Sequence, residues 1–229
     1  AQQALTTASL IGPGRLSLGI GLAHKPVVEG QWGISFDKPV RHAREYLEIL
    51  APALRNEKVS FSGETLTGRA PALMAGVEGP RLYVAALGPQ MLKLTGKVAD
   101  GTILWMTGPA TVRDHTVPVM RAAAEEAGRP TPKVLAGVPI ACTDDVSGTR
   151  ASAAKTFEVY GQLPSYRAML DREGLAGPED FAIIGNEDEV GTRLEGLFDA
   201  GVDRIMCVEF GQNDEDRDRT RSCLQSLLN

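Results

Sequence analysis

Residues 81–101 read RLYVAALGPQMLKLTGKVADG. An apolar run closes at Leu87, a Gly-Pro pair follows, and an amphipathic stretch begins at once. This order predicts a strand over 81–87 that turns directly into a helix. Pro89 then sits in the first helical turn, where its fixed φ and missing N–H are tolerated. GTILWM follows as the next strand, at about 102–106. A strand, a helix and another strand within so few residues point to a parallel sheet with helices outside it.

Working outward from this unit, the alternation continues. RLSLGIGLA, near 16–22, is short, apolar and bounded by glycines, and reads as a buried strand. KVLAGVPIACT gives a strand at 133–142 and VDRIMCVEF one at 203–209, so five core strands are expected. Residues 24–37 read as a long loop, mobile without ligand, followed by a helix with Asp37 as its N-cap. Within that helix Pro52 is expected to kink or end it. KVSFSGETLTG reads as a small hairpin. Pro118 is expected to break the helical stretch after Met106, with Thr116 capping the second piece. Neither an internal repeat nor a dividing linker is evident, so a single domain over 1–229 is expected.

Composition narrows the classes. The chain has 229 residues, 43% of them hydrophobic, and a net charge of −5. No apolar run approaches the ~20 residues of a membrane span, and the start lacks a basic signal-peptide region. Basic residues are scattered without interleaved aromatics, which argues against nucleic-acid binding. Cys142, Cys207 and Cys223 are odd in number and far apart, which suits a reducing cytoplasm. Metal-ligand spacings, nucleophile elbows and Walker loops are missing, so no metal site is expected.

The turn after Leu87 admits two readings. In one, Ala85 and Ala86 let a flat ring approach the backbone, and Gly88 removes a Cβ. The N–H groups of Gln90 and Met91 then point outward with the positive helix end behind them, which suits a phosphate. In the other, the turn only reverses the chain. Gly19 and Gly21 share one face of their strand, either beneath a cofactor ring or in tight packing. His24, Glu29 and Trp32 lie in the loop after that strand: His24 as a proton donor or an ordinary loop histidine, Glu29 and Trp32 as pocket residues or surface. Trp105 and Met106 end their strand and read as pocket or core; Glu209 ends the last strand. His42 and His115 read as surface positions.

GRLSLGIGLAHKPVVEGQWGISFDKPVRHAREYLEIL, LYVAALGPQMLKLTGKVADGTILW and GVDRIMCVEF together resemble the bacterial luciferase-like monooxygenase superfamily, most closely its coenzyme F420-dependent oxidoreductase branch. The resemblance implies a (β/α)8 TIM barrel, incomplete here, with about five of eight strands and three strand–helix units missing ahead of residue 1. It implies hydride or oxygen chemistry on F420, or alternatively FMN, with a small-molecule substrate. Cofactor contacts are implied at Gly19, Gly21, Ala85, Ala86, Leu87, Gly88, Pro89, Gln90 and Met91. Substrate contacts are expected at Glu29, Trp32, Trp105 and Met106, and a catalytic proton at His24. The missing units predict a homodimer or further N-terminal chain. A non-catalytic binding or assembly module is the alternative.

Overall fold

Where the sequence expects strand 81–87, the computed structural model forms Arg81–Ala85, and helix Pro89–Val98 follows after three connecting residues. The structure describes residues 1–228. In chain order the first elements are α1 (Gln2–Ile11), β1 (Ser17–Ile20), α2 (Lys25–Gly30) and α3 (Pro39–Leu54). The hairpin strands β2 (Val59–Ser62) and β3 (Thr67–Ala70) come next, then β4 (Arg81–Ala85), α4 (Pro89–Val98) and β5 (Gly101–Trp105). A short α5 (Pro109–Thr111), a π-helical turn (Val112–Thr116) and α6 (Val117–Glu126) lead to β6 (Lys133–Cys142). The chain closes with α7 (Val146–Gln162), α8 (Pro164–Glu173), β7 (Ile183–Gly185), α9 (Glu187–Asp199), β8 (Arg204–Glu209) and α10 (Asp214–Ser226). All five expected core strands are present, as β1, β4, β5, β6 and β8.

The chain divides into two compact units, with boundaries inside β5, inside α6 and just ahead of β6. The first holds Ala1–Thr102 and Met120–Pro132; the second holds Ile103–Val119 and Lys133–Asn229. In the first unit β1 runs parallel to β4, with Gly19 opposite Tyr83 and Ile20 opposite Val84. In-register neighbours on parallel strands share a face, so Leu82 and Val84 are buried on one side with Ala86. Asp100 fixes the lower end of β4: its N–H donates to Leu82 O and its carboxylate accepts from Leu82 N, both at 2.8 Å. Gly96 lets α4 approach α6, since a Cβ there would lie 2.4 Å from Met120 O.

The second unit repeats the aspartate device. Asp203 N–H donates to Val134 O, and its carboxylate accepts from Val134 N at 2.8 Å and from Lys133 Nζ at 2.6 Å. β6 is the central strand, parallel to β8 over Leu135–Ile140 and to β7 over Ile140–Cys142. Ile140 pairs with both, so β7 and β8 lie along opposite edges. Proline is normally excluded from a central strand, yet Pro139 is buried in β6. Hydrogen bonds explain its place. Gly137 O accepts from Met106 N, and Thr143 N donates to Gly185 O, so odd-numbered residues face the β5/β7 edge. Pro139 lies between these bonds, where β5 has ended and β7 has barely begun.

Several expectations need correction. Residues 24–37 are not all loop: six of them form α2, with Pro26 in its first turn and Val28 buried. The α3 N-cap is Lys38, in the left-handed region at φ 50°, not Asp37. Pro52 lies inside α3, and the helix ends two residues later. Pro118 does not break its helix. A proline clashes with the carbonyl four residues back, but the π turn shifts the ladder so that Val117 N–H bonds to Val112 O. The widened turn accommodates the ring, and Thr116 caps nothing.

Among the described residues, the free edges of β1 and β8 have no strand partner and no closed barrel forms. No described helix is long and apolar enough to cross a membrane.

Candidate functional site

The carboxyl ends of β1 and β4 bring most of the sequence-predicted positions together. Gly19, Gly21 and Ala85 lie on one face of the strand pair, and all three are exposed. A Cβ on Gly21 would sit 3.0 Å from Ala85 Cβ, so this glycine is required by close packing as well as by any ligand. Ala86 points the opposite way and is buried. The small-residue strip continues into the start of α4.

At that turn Gly88 is the N-cap, extended at φ −80° and ψ 156°, with Pro89 following and no side chain capping the helix. The first helical bond runs from Leu92 N to Gly88 O, so the helix leaves the N–H groups of Gln90 and Met91 unused. An added Cβ at Gly88 meets nothing within 4 Å. Neither backbone angle nor packing demands glycine there. The open space at a helix start suits an anionic group, and the residues present fit a phosphate-bearing cofactor. Leu87 is half-buried, Pro89 and Gln90 are exposed, and Met91 is buried.

The segment after β1 is more ordered than a loop. Ala23 takes the left-handed region at φ 55°, and His24 then caps α2, its carbonyl accepting from Val27 and Val28 N–H at 2.9 Å. The half-buried His24 ring is thus held at the carboxyl end of β1. Glu29 is engaged in structure: its carboxylate accepts from Phe36 N at 3.2 Å and lies 3.6 Å from Lys25 Nζ. Trp32 is 58% exposed.

Trp32 also lines a cleft of about 830 Å3 in the first unit. Its floor includes Ile20, Val84 and Met91, with Ile20 and Val84 on the side of the strands opposite Gly19 and Ala85; Gly21, just past β1, also reaches it, and α3 supplies His42 and Tyr46. The sequence reading did not find this cleft, whose lining is spread over β1, the segment after α2, α3 and the hairpin. It also missed Glu45. This buried carboxylate accepts from the N–H groups of Glu64, Thr65 and Leu66 at 2.7–3.0 Å and from Thr65 Oγ1 at 2.7 Å. The Thr65 hydroxyl, with the two N–H groups of Thr65 and Leu66, holds its pKa below the usual carboxylate value. Its work is to fasten the β2–β3 hairpin to α3.

In the second unit Trp105 ends β5 and packs edge-on against Phe157 at 6.1 Å between ring centres, with Tyr160 at 6.4 Å. Its Nε1 is buried without a hydrogen-bond partner. Met106 is fully buried, with φ 48°. Gly137 is needed beneath them: a Cβ there would lie 2.9 Å from both Trp105 Cε3 and Met206 Cε. Glu209 is bound to Arg221 at 2.7 Å, which lowers its pKa. His115, expected at the surface, is buried at 7% exposure in the π turn.

A parallel α/β sheet whose small residues and helix start gather at the carboxyl ends of its strands is the arrangement of barrel-type α/β proteins. The chain belongs to the luciferase-like monooxygenase family, which it matches over residues 1–204. It is 29% identical to a 5,10-methylenetetrahydromethanopterin reductase of Methanolobus tindarius, across 93% of this chain and 76% of that one. It is also 29% identical to an F420-dependent glucose-6-phosphate dehydrogenase of Mycolicibacterium gilvum, across 56% of this chain and 40% of the relative. The coenzyme F420-dependent tetrahydromethanopterin reductase of Methanopyrus kandleri shares the fold. Its TM-score is 0.73 at 22% identity, covering 95% of this chain and 77% of that one.

Proposed function

We propose that this chain belongs to an oxidoreductase that uses a deazaflavin, coenzyme F420, to transfer hydride to or from a small organic molecule. The observation that carries this reading is the exposed strip of Gly19, Gly21 and Ala85 leading to an α4 start with open space at Gly88. The F420-dependent relatives support it. When bound, the cofactor supplies hydride chemistry at its ring carbon. The protein's part is placement. The strip lets a flat ring lie against backbone, and the N–H groups of Gly88, Gln90 and Met91 hold a phosphate. His24, fixed at the start of α2, donates or accepts the proton that accompanies hydride transfer. In the second unit the half-buried Trp105 offers an apolar wall for substrate contact, whereas Met106 is fully buried. FMN is the second cofactor reading, favoured by the family's monooxygenase members, since the same turn suits its phosphate.

Titration of the protein with F420 and with FMN, followed by absorbance, tests the proposal. A Cβ at position 88 meets nothing within 4 Å, so Gly88→Val is expected to fold and to bind the deazaflavin about tenfold or more weakly, a loss of roughly 1.4 kcal/mol. Unchanged binding in the folded variant rules out the anion site. Failure of both cofactors to bind the unaltered chain overturns the function.

A further inference from the structure

We propose that the first unit carries a second small-molecule site, which shares Gly21 and Met91 with the deazaflavin reading but takes its walls from the other face of the strands. The cleft floored by Ile20, Val84 and Met91 binds a planar aromatic molecule that ends in a neutral hydrogen-bond donor.

The cleft's volume, about 830 Å3, falls within the roughly 300–1,000 Å3 of ordinary ligand pockets. Its lining concentrates apolar surface that the molecule elsewhere scatters. Ten large hydrophobic side chains are exposed among the described residues, and Trp32, Ile34 and Tyr46 all line this one cleft. Exposed hydrophobics spread singly need no explanation, whereas a contiguous group marks a binding surface. With Phe36 the walls carry three aromatic rings, which favours a flat, π-rich body.

The polar groups decide what the other end of the ligand is. Most are already occupied. Lys38 Nζ binds Glu64 at 2.9 Å, and Arg41 binds the other oxygen of the same carboxylate. Thr65 Oγ1 donates to Glu45, and Ser35 Oγ accepts from Asp37 N. The Asp37 carboxylate, the His42 ring and the Tyr46 hydroxyl have no partner among the described residues. A carboxylate only accepts, so Asp37 calls for a donor on the ligand. Glu64 is shared by Lys38 and Arg41, so Asp37 is the carboxylate left unpaired at the cleft, and an anionic end placed against it is repelled.

The test uses 2-naphthol, 2-naphthoate and coenzyme F420 with the whole chain, read by calorimetry and probe fluorescence. One 2-naphthol per chain is expected to bind saturably, with 2-naphthoate at least tenfold weaker. Tyr46→Ala, a change at a half-exposed side chain, is expected to weaken 2-naphthol at least fivefold, and Ala43→Phe, which fills the cleft, to abolish its binding. F420 is expected not to displace it. Unsaturable binding, equal or tighter 2-naphthoate, an unaffected Tyr46→Ala variant, or displacement by F420 each overturns the proposal. So does loss of the site when the chain self-associates, because the cleft is then an interface. Saturable 2-naphthol binding without any F420 binding supports the cleft and overturns the deazaflavin reading alone.

Discussion

A single backbone angle after β1 decides how His24 is presented. Ala23 holds φ 55°, where an L-residue costs about 1–2 kcal/mol. Ala23→Gly relieves that strain and adds some unfolded-chain entropy, so a net gain of about 1 kcal/mol is expected. A urea melt with a raised midpoint and unchanged slope would confirm it; a lower midpoint would show that the angle is not strained. Residues of this kind separate what the sequence discloses from what it hides. Gly19 and Gly21 were readable as one face because strand side chains alternate with period two; that Ala85 joins them while Ala86 turns away follows only from the pairing of β1 with β4. The positions of Glu45 and His115 were not, because nothing local requires a carboxylate or an imidazole there to be buried. Glu45 depends on three N–H groups that arrive some 20 residues later.

Helices α9 and α10 are tied by charge. Glu187 accepts from Arg219 at 2.6 and 2.8 Å, and Asp144 accepts from the same guanidinium at 2.8 Å. The Arg219 hydrogen bonds hold the Glu187 pKa down to about 2, against roughly 4.3 in an unfolded chain. A depressed carboxylate pKa stabilises the folded state above the unfolded value, and the contribution fades as pH falls from about 4.3 towards 2. The pair is largely exposed, so its worth is at most about 1 kcal/mol. Glu187→Gln is expected to lose that contribution at pH 7 and to flatten the stability profile across the acid window. An unchanged profile from denaturant melts at stepped pH would remove the pair from any stabilising role. Elements were the most legible level of the sequence: the five expected core strands and the hairpin all formed, while β7, a sixth strand of the sheet only three residues long, was not counted. The misreadings came where one element borrows from another. Pro118 survives because a π turn precedes it, and α2 forms where the glycines at positions 30 and 33 suggested only loop.

Each unit presents an unpaired edge, β1 in the first and β8 in the second. Met206 on β8 is 54% exposed and Cys207 beside it is exposed. Unpaired apolar edges template association. Residues 1–229 alone are therefore expected to sediment above monomer mass at micromolar concentration, and Met206→Lys with Cys207→Lys to reduce that mass. A compact monomer with one cooperative melt contradicts this. The partition into units carries a consequence for synthesis. The chain passes from one unit to the other three times, and Met120–Pro132 belongs with the amino-terminal residues. When residue 102 leaves the ribosome, the first unit still lacks a piece that is complete only thirty positions later. At roughly 5–20 residues per second, that is a wait of about 2–6 s. During it the nascent face of α4 around Gly96 has no α6 to meet, so a chaperone that binds apolar helix surface has a defined interval in which to act.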